Sequence, residues 1–283
     1  MKRLWLPALL ALCTAAACDS GGPAASAPEP TGEASPTTAA QPAIAPAAPA
    51  TGPATSASAA ATAPTTVPAP EHFVTLPVGT PLPSGAQCAE WVGPYEELRP
   101  DNAEANRTRG TRPNTRTDWV GFSRVDGDFV GTTEEIIEWA ACKWGIDEDI
   151  ARAQIVKESA WHQSVVGDNG ESFGLGQVRC AYHTEACVDD NAIRSSAYNL
   201  DYTYAVWRGC YEGVYTWLND AERGSDYAAG DEWGCLGVWF SGRWYTPEAI
   251  AYVEGGETLG YGNVGVREHF ENRTWEDPDF VNW

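Results

Sequence analysis

Between residues 132 and 253 apolar positions recur at helical spacing, and residue types that start or stop helices bracket each run. Thr132-Thr133-Glu134-Glu135 has the form of a capping box; Ile136, Ile137, Ala140, Ala141 and Trp144 follow until Gly145 ends the run. A second helix is predicted from Asp147, whose side chain can cap, to about Trp161. Further helices are predicted over 195–217 and over 247–253, the latter with Pro247 in its first turn. Short Gly-rich segments between them leave room for a small sheet. Residues 71–130 are rich in turn formers without a long periodic stretch and are read as an irregular N-terminal extension of the folded part, with Cys88 tying it down. No repeat of 20 to 50 residues is visible.

The pattern changes sharply toward the N-terminus. Lys2 and Arg3 precede a short apolar run over residues 4–17 that lacks acidic residues and is too short to span a bilayer comfortably, as in an export signal. It ends in Ala15-Ala16-Ala17-Cys18, which resembles a bacterial lipobox and makes Cys18 a lipidated first mature residue; a plain secretory signal cut near Ala17 is the alternative. Residues 18–70 are almost entirely Ala, Pro, Thr, Ser and Gly, and 12 of the 20 prolines lie in the first 70 residues, so this stretch cannot bury a core and reads as a disordered linker. Residues 71–283 hold 12 of the 13 tryptophans and are read as one folded domain, acting as a monomer, with 131–283 as its catalytic part and C-terminal tail.

Charge narrows the partners. Residues 71–283 carry 36 acidic and 16 basic residues, nearly the whole net charge of −21, which excludes nucleic acid as a partner. The six cysteines beyond the signal, Cys88, Cys142, Cys180, Cys187, Cys210 and Cys235, read as three disulfides in an exported domain, with 15 connectivities open. No close Cys pair exists and the four histidines are scattered, so neither metal nor cofactor is expected.

The candidate chemistry lies in the second helix and the turn after it. Ala151, Ile155, Glu158 and Trp161 form one stripe, so Glu158 points to the side the helix buries, with no Lys or Arg on that stripe. A carboxyl so placed must be paired or hold its proton near neutral pH, as a general acid for glycosidic cleavage does. A rim position, bonded to backbone amides of the following loop, is the other reading. Gly167, Gly170, Gly174 and Gly176 then make a loop able to turn tightly and approach a ligand, and Gln177 supplies an amide that suits sugar hydroxyls.

Glu-Ser-Ala-Trp (158–161) followed by Ser-Phe-Gly-Leu-Gly-Gln (172–177) resembles the first two motifs of soluble lytic transglycosylases, lysozyme-like enzymes that cleave peptidoglycan, with Gly176 where that family has methionine. Glu248 to Val253 matches the spacing of the family's Glu-Thr-x-x-Tyr-Val motif. The resemblance implies a mainly α, α+β lysozyme-like fold. It makes Glu158 the catalytic acid and base with Tyr252 beside it, and puts Ser159, Asp168, Phe173, Gly174, Leu175, Gln177, Trp239 and Glu248 at the substrate. It departs from the family at Tyr198-Asn199-Leu200, which lacks a following glycine, and at Phe240, which stands in place of an asparagine. A second resemblance, to goose-type lysozyme, rests on Gly167-Asp168 and implies a hydrolase using Asp168, although Arg179 replaces the further aspartate of that family. A tethered lipoprotein that binds glycan strands without cutting them is the third reading. The implied partners are peptidoglycan and, through the lipid anchor, a membrane on the exported, periplasmic side.

Overall fold

The computed structural model describes residues 68–256 and 264–283. The signal, Cys18 and nearly all of the 18–70 linker lie outside the described residues.

The described chain is mainly helical with one small sheet. Helix α1 spans Gly85–Trp91, α2 Ala103–Arg107, α3 Thr133–Trp144, α4 Glu148–Ser159, α5 Asn191–Arg194, α6 Ser196–Tyr211, α7 Glu232–Ser241, α8 Pro247–Glu254 and α9 Val266–Asn272. The capping box before α3 is formed: the Thr132 hydroxyl accepts from the Glu135 amide and the Glu135 carboxylate accepts from the Thr132 amide. Gly145 closes that helix at φ 60°, where a side chain would crowd Leu76 and Leu82. Asp147 caps α4 by accepting from the amides of Asp149 and Ile150. Ala160 and Trp161 then take left-handed φ values of 48° and 66°, so α4 stops two residues before its predicted end. Ser195 caps α6, which ends at Tyr211 rather than 217 because Gly213, at φ 82°, turns the chain.

Between α4 and α5 lie strands β1 (Val166–Gly167), β2 (Ser172–Phe173) and β3 (Val178–Arg179). They pair antiparallel in that order, with Val166 opposite Phe173 and Ser172 opposite Arg179.

Helix α6 is buried along its whole length and packs against α3 and α7, while α4 packs on α3 and α9. Tyr198, Tyr202, Trp207 and Tyr211 of α6 are core residues, as their near four-residue recurrence suggests, and Tyr215 joins them from beyond the end of the helix. An ion pair sits within this core: Lys143 Nζ bonds Asp201 Oδ2 at 2.8 Å, and Asp201 also accepts from the Trp144 indole and the Gly127 amide. Lys143 also bonds Asp126 Oδ1 at 2.9 Å, so the pair is lopsided: removing Lys143 strands the fully buried Asp201 carboxylate, at a cost of about 3–5 kcal/mol.

The extension over 71–130 is irregular apart from α1, α2 and short 3-10 turns, and it wraps the end of α4 together with the C-terminal tail. Buried Arg99 donates to the carbonyls of Ala160 and Phe280 and lies 4.2 Å over the Phe280 ring. Asn102 donates to the Trp161 carbonyl and accepts from the Gln163 amide, and Trp161 packs edge-on against Phe280. Both segments therefore fix the reversal by which the chain leaves α4. The disulfides are Cys88–Cys142, Cys180–Cys187 and Cys210–Cys235, the first tying the extension to α3. No helix among the described residues is long and apolar enough to cross a membrane.

Candidate active site

Glu158 lies in the last turn of α4 and meets α8, whose Tyr252 hydroxyl donates to Oε1 at 2.5 Å. Ala151, Ile155 and Trp161, the other members of its stripe, are fully buried. Glu158 itself is half-buried, so part of its side chain reaches the surface while the carboxyl is packed around by protein. Burial pushes that carboxyl up to about 7, and the negative charge of Asp168 adds to the effect; the Tyr252 hydroxyl, Lys157 and the Trp239 indole act the other way. The group is thus poised between acid and base near neutral pH. Tyr252 and Tyr204 are buried beside it, and desolvation, with the nearby Glu158 charge, holds both phenols well above their usual range, so each stays a neutral donor. Tyr204 spends its hydroxyl on the Ala151 carbonyl, which leaves the donor to Glu158 with Tyr252. Lys157, next along α4, bonds the Val264 carbonyl through its amine at 2.8 Å.

The Gly-rich loop is pinned from several sides. The Ser159 hydroxyl donates to the Leu175 carbonyl at 2.9 Å, and the Leu175 amide donates to Gln163 Oε1 at 3.1 Å. Asn199 accepts from the Gly176 amide at 2.8 Å and donates to the Phe173 carbonyl at 2.9 Å. Trp239 donates through its indole to the Gly176 carbonyl at 3.0 Å, bringing α7 onto the same loop. Gly174 sits at φ 80° with the Asn199 and Gln163 amides where a side chain would be. Gly176 faces Thr203 of α6 so closely that any Cβ would strike the threonine hydroxyl. The methionine of the resembled family cannot fit here while Thr203 keeps its place.

Three residues that the motifs put at the substrate are committed to the protein itself. Ser159 is buried and ties α4 to Leu175, itself fully buried. Gln177, at φ 52°, spends its amide N–H groups on the carbonyls of Val165 and Gly174. The Glu248 carboxylate is held below its usual range chiefly by its own backbone amide, in the first turn of α8. Asp168 lies in the turn after β1, where Ser172 Oγ donates to Oδ2 at 2.5 Å and Arg179 Nε stands 4.0 Å away. Phe173 and Trp239 are half-buried.

Other groups emerge only in three dimensions. Phe240 stacks flat on Tyr252, with centroids 4.7 Å apart and planes 6° from parallel, and it is 37% exposed. His183 stacks on Trp239 at 5.3 Å and bonds the Tyr202 hydroxyl. Burial lowers His183 to about 4, so it is neutral there. Gln163 and Asn199 clamp the loop. Asn199 was visible as part of the Tyr198-Asn199-Leu200 motif, whereas nothing in the linear pattern marked Gln163.

Glu138 of α3 is likewise raised to about 7 by burial, so proton affinity alone does not select Glu158. Glu138 lies beside Arg152, whose guanidinium is saturated by Glu148 at 2.8 Å, Asp149 at 3.0 Å and Glu134 at 3.3 Å. That is a structural ion cluster, and the Gly-rich loop does not reach it. A cavity of about 480 Å³ lined by Phe73, Leu76, Leu82 and Trp91 contains none of the motif residues. Among the described residues His72, Asp147 and Asp149 bring ligand atoms within 4.8 Å of one another. Asp149 there is already paired with Arg152 and Arg273, which neutralises its charge.

The convergence of α4, α8, α7 and the loop on one protonatable carboxyl can deliver a proton to an ether or ester oxygen and take one back. No protein family, curated protein or solved structure matches this chain.

Proposed function

We propose that this chain is a peptidoglycan lytic transglycosylase of lysozyme-like fold, with Glu158 as general acid and base. The observation that carries the reading is the Glu158 carboxyl, raised by burial to about 7 and bonded to Tyr252 beside a pinned Gly-rich loop. In this reading Glu158 gives its proton to the oxygen of the MurNAc-GlcNAc bond as the C1–O bond breaks. The carboxylate left behind is stabilised by the Tyr252 hydroxyl. It then takes the proton of the MurNAc 6-hydroxyl as that oxygen bonds C1, closing a 1,6-anhydro ring and restoring the acid. The attacking hydroxyl belongs to the same sugar, so its effective concentration is already high. On so acidic a surface, recognition rests on hydrogen bonds and on aromatic faces such as the exposed Phe240.

Asp168 favours a second reading in one respect, since its charge reaches Glu158, as the second carboxylate of an inverting hydrolase would. Its Oδ2, however, accepts from Ser172 and stands 4.0 Å from Arg179 Nε, which ties the side chain to its own turn and supports the intramolecular route. Export and anchoring through Cys18 belong to the same proposal and place the enzyme on the periplasmic face of a membrane, acting as a monomer. Digestion of purified peptidoglycan followed by mass spectrometry tests it. Anhydro-muropeptides support the transglycosylase, new reducing ends indicate the lysozyme reading, and absence of any released fragment indicates a binding module.

A further inference from the structure

One turn before Glu158 on α4 lies Gln154, completely buried. Residues four apart share a helix face, so Gln154 sits directly beneath Glu158 on the side turned to the core. Neither its amide oxygen nor its amide nitrogen has a hydrogen-bond partner at ordinary geometry. A buried amide without partners costs about 1–3 kcal/mol, and an apolar residue of the same size costs nothing comparable. The other polar side chains close to Glu158 are each engaged, with Ser159 holding Leu175, Tyr204 holding the Ala151 carbonyl and Tyr252 holding Glu158. Gln154 is the exception: its amide lies close enough to the Tyr252 phenol to favour the ionised form of that group, yet it is not at hydrogen-bond geometry with any partner.

We propose that Gln154 is a positioning residue for the acid, donating its amide N–H to the oxygen of Tyr252 while the Tyr252 O–H donates to Glu158. A phenol that accepts one hydrogen bond becomes a better donor in the other, and in a low-dielectric core that polarisation is felt strongly. Gln154 thereby strengthens the hold of Tyr252 on the ionised form of Glu158, the form that must reclaim a proton in the second half of the reaction. The role rests on the catalytic reading of Glu158. The other groups facing this carboxyl are Lys157 on α4, Asp168 in the β1–β2 turn, Tyr204 on α6 and Trp239 on α7.

The test is the titration of the Glu158 carboxyl followed by carbon NMR on uniformly labelled full-length protein, with the resonance assigned by its loss in Glu158→Gln. In Gln154→Met, or Gln154→Leu should the first fold poorly, the Glu158 midpoint is expected to move upward by about half a pH unit or more. The buried amide oxygen has no partner, so removing the amide should leave thermal stability unchanged or higher, whereas a merely structural glutamine would lower it. In a Tyr252→Phe background the same Gln154 substitution should no longer move the midpoint. An unmoved midpoint in the single variant, or a shift that persists without the Tyr252 hydroxyl, overturns the proposal. The titration needs no substrate, so it separates the two claims. A shifted midpoint in a protein that releases nothing from peptidoglycan leaves the coupling standing and removes the enzymatic reading, and cleavage with an unmoved midpoint does the reverse.

Discussion

The Tyr252 hydroxyl donates a 2.5 Å hydrogen bond to Glu158 Oε1 across the α4–α8 contact, joining residues 94 positions apart in sequence. The phenol is buried and stays protonated at any pH of interest, so the bond favours the carboxylate form of Glu158. Replacing Tyr252 by Phe removes that donor and should raise Glu158 further, weakening its return to the base form. A fall in glycan-cleaving rate of roughly 10- to 100-fold is expected, on the scale of one lost charge-stabilising donor in an active site. The alkaline limb of the pH–rate profile should shift upward, and steady-state rates between pH 5 and 9 measure both effects.

Stability should respond to the same proton. The folded-state value of Glu158, about 7, lies above the ordinary carboxylate range. The native state therefore holds a proton that the unfolded chain gives up at lower pH. Stability drawn from the neutral buried acid is then full below the unfolded value and is lost as pH rises toward 7. Glu158→Gln removes this loss, so the variant should match wild type near pH 4 and exceed it at pH 8 by roughly 3 kcal/mol. Denaturant unfolding at the two pH values checks the sign. Glu138 titrates in the same direction but is present in both proteins, so it cancels from the difference.

Gly176 should resist the residue found at its place in the resembled family. Gly176→Met drives a Cβ into the Thr203 hydroxyl and should destabilise the fold by about 1–3 kcal/mol. Adding Thr203→Ala clears the space, and the double variant should recover a large part of that loss. Thermal melts of the two single variants and the double variant measure the coupling, and simple additivity of the two effects would separate Gly176 from Thr203.

The Cys88–Cys142 bridge closes a span of 54 residues and holds the extension against α3. Replacing both cysteines by alanine should cost about 4 kcal/mol if loop-closure entropy governs. Limited proteolysis should then cut first within 71–130, which mass spectrometry of the fragments reads directly. The Glu158 site is built from α4, α7, α8 and the Gly-rich loop, none of which this bridge joins, so residual folded protein should keep its carboxyl titration.

The helices that carry the site were legible because their ends are chemically marked. The capping box at Thr132 and Glu135, Asp147 before α4, Ser195 before α6 and Pro247 in α8 each act as their residue types suggest. Helix α7 was not legible, since glycine is a poor helix former and Gly234 and Gly237 both lie inside it. Their meaning lies in what packs on them: Trp244 crowds Gly234, and Ala249 of α8 lies 3.0 Å from where a Gly237 Cβ would be. The side chains of the motifs were legible in type but not in direction. Ser159 and Gln177 have the chemistry to bind sugar, and only the fold reveals that their hydrogen bonds close on Leu175, Val165 and Gly174. Gln154 carried no signal at all, because a glutamine inside a helix has meaning only once its burial and its neighbour Tyr252 are known.

The central claim is that Glu158 is the acid on which cleavage depends, and comparison of wild type with Glu158→Gln on the same purified peptidoglycan tests it most directly. Glutamine keeps the size of the side chain and can still accept from Tyr252, so the site remains built. Wild type should release muropeptides with 1,6-anhydro ends while the variant releases them at least about 1,000-fold more slowly, with its fold intact by circular dichroism. Equal release from both proteins would contradict the account.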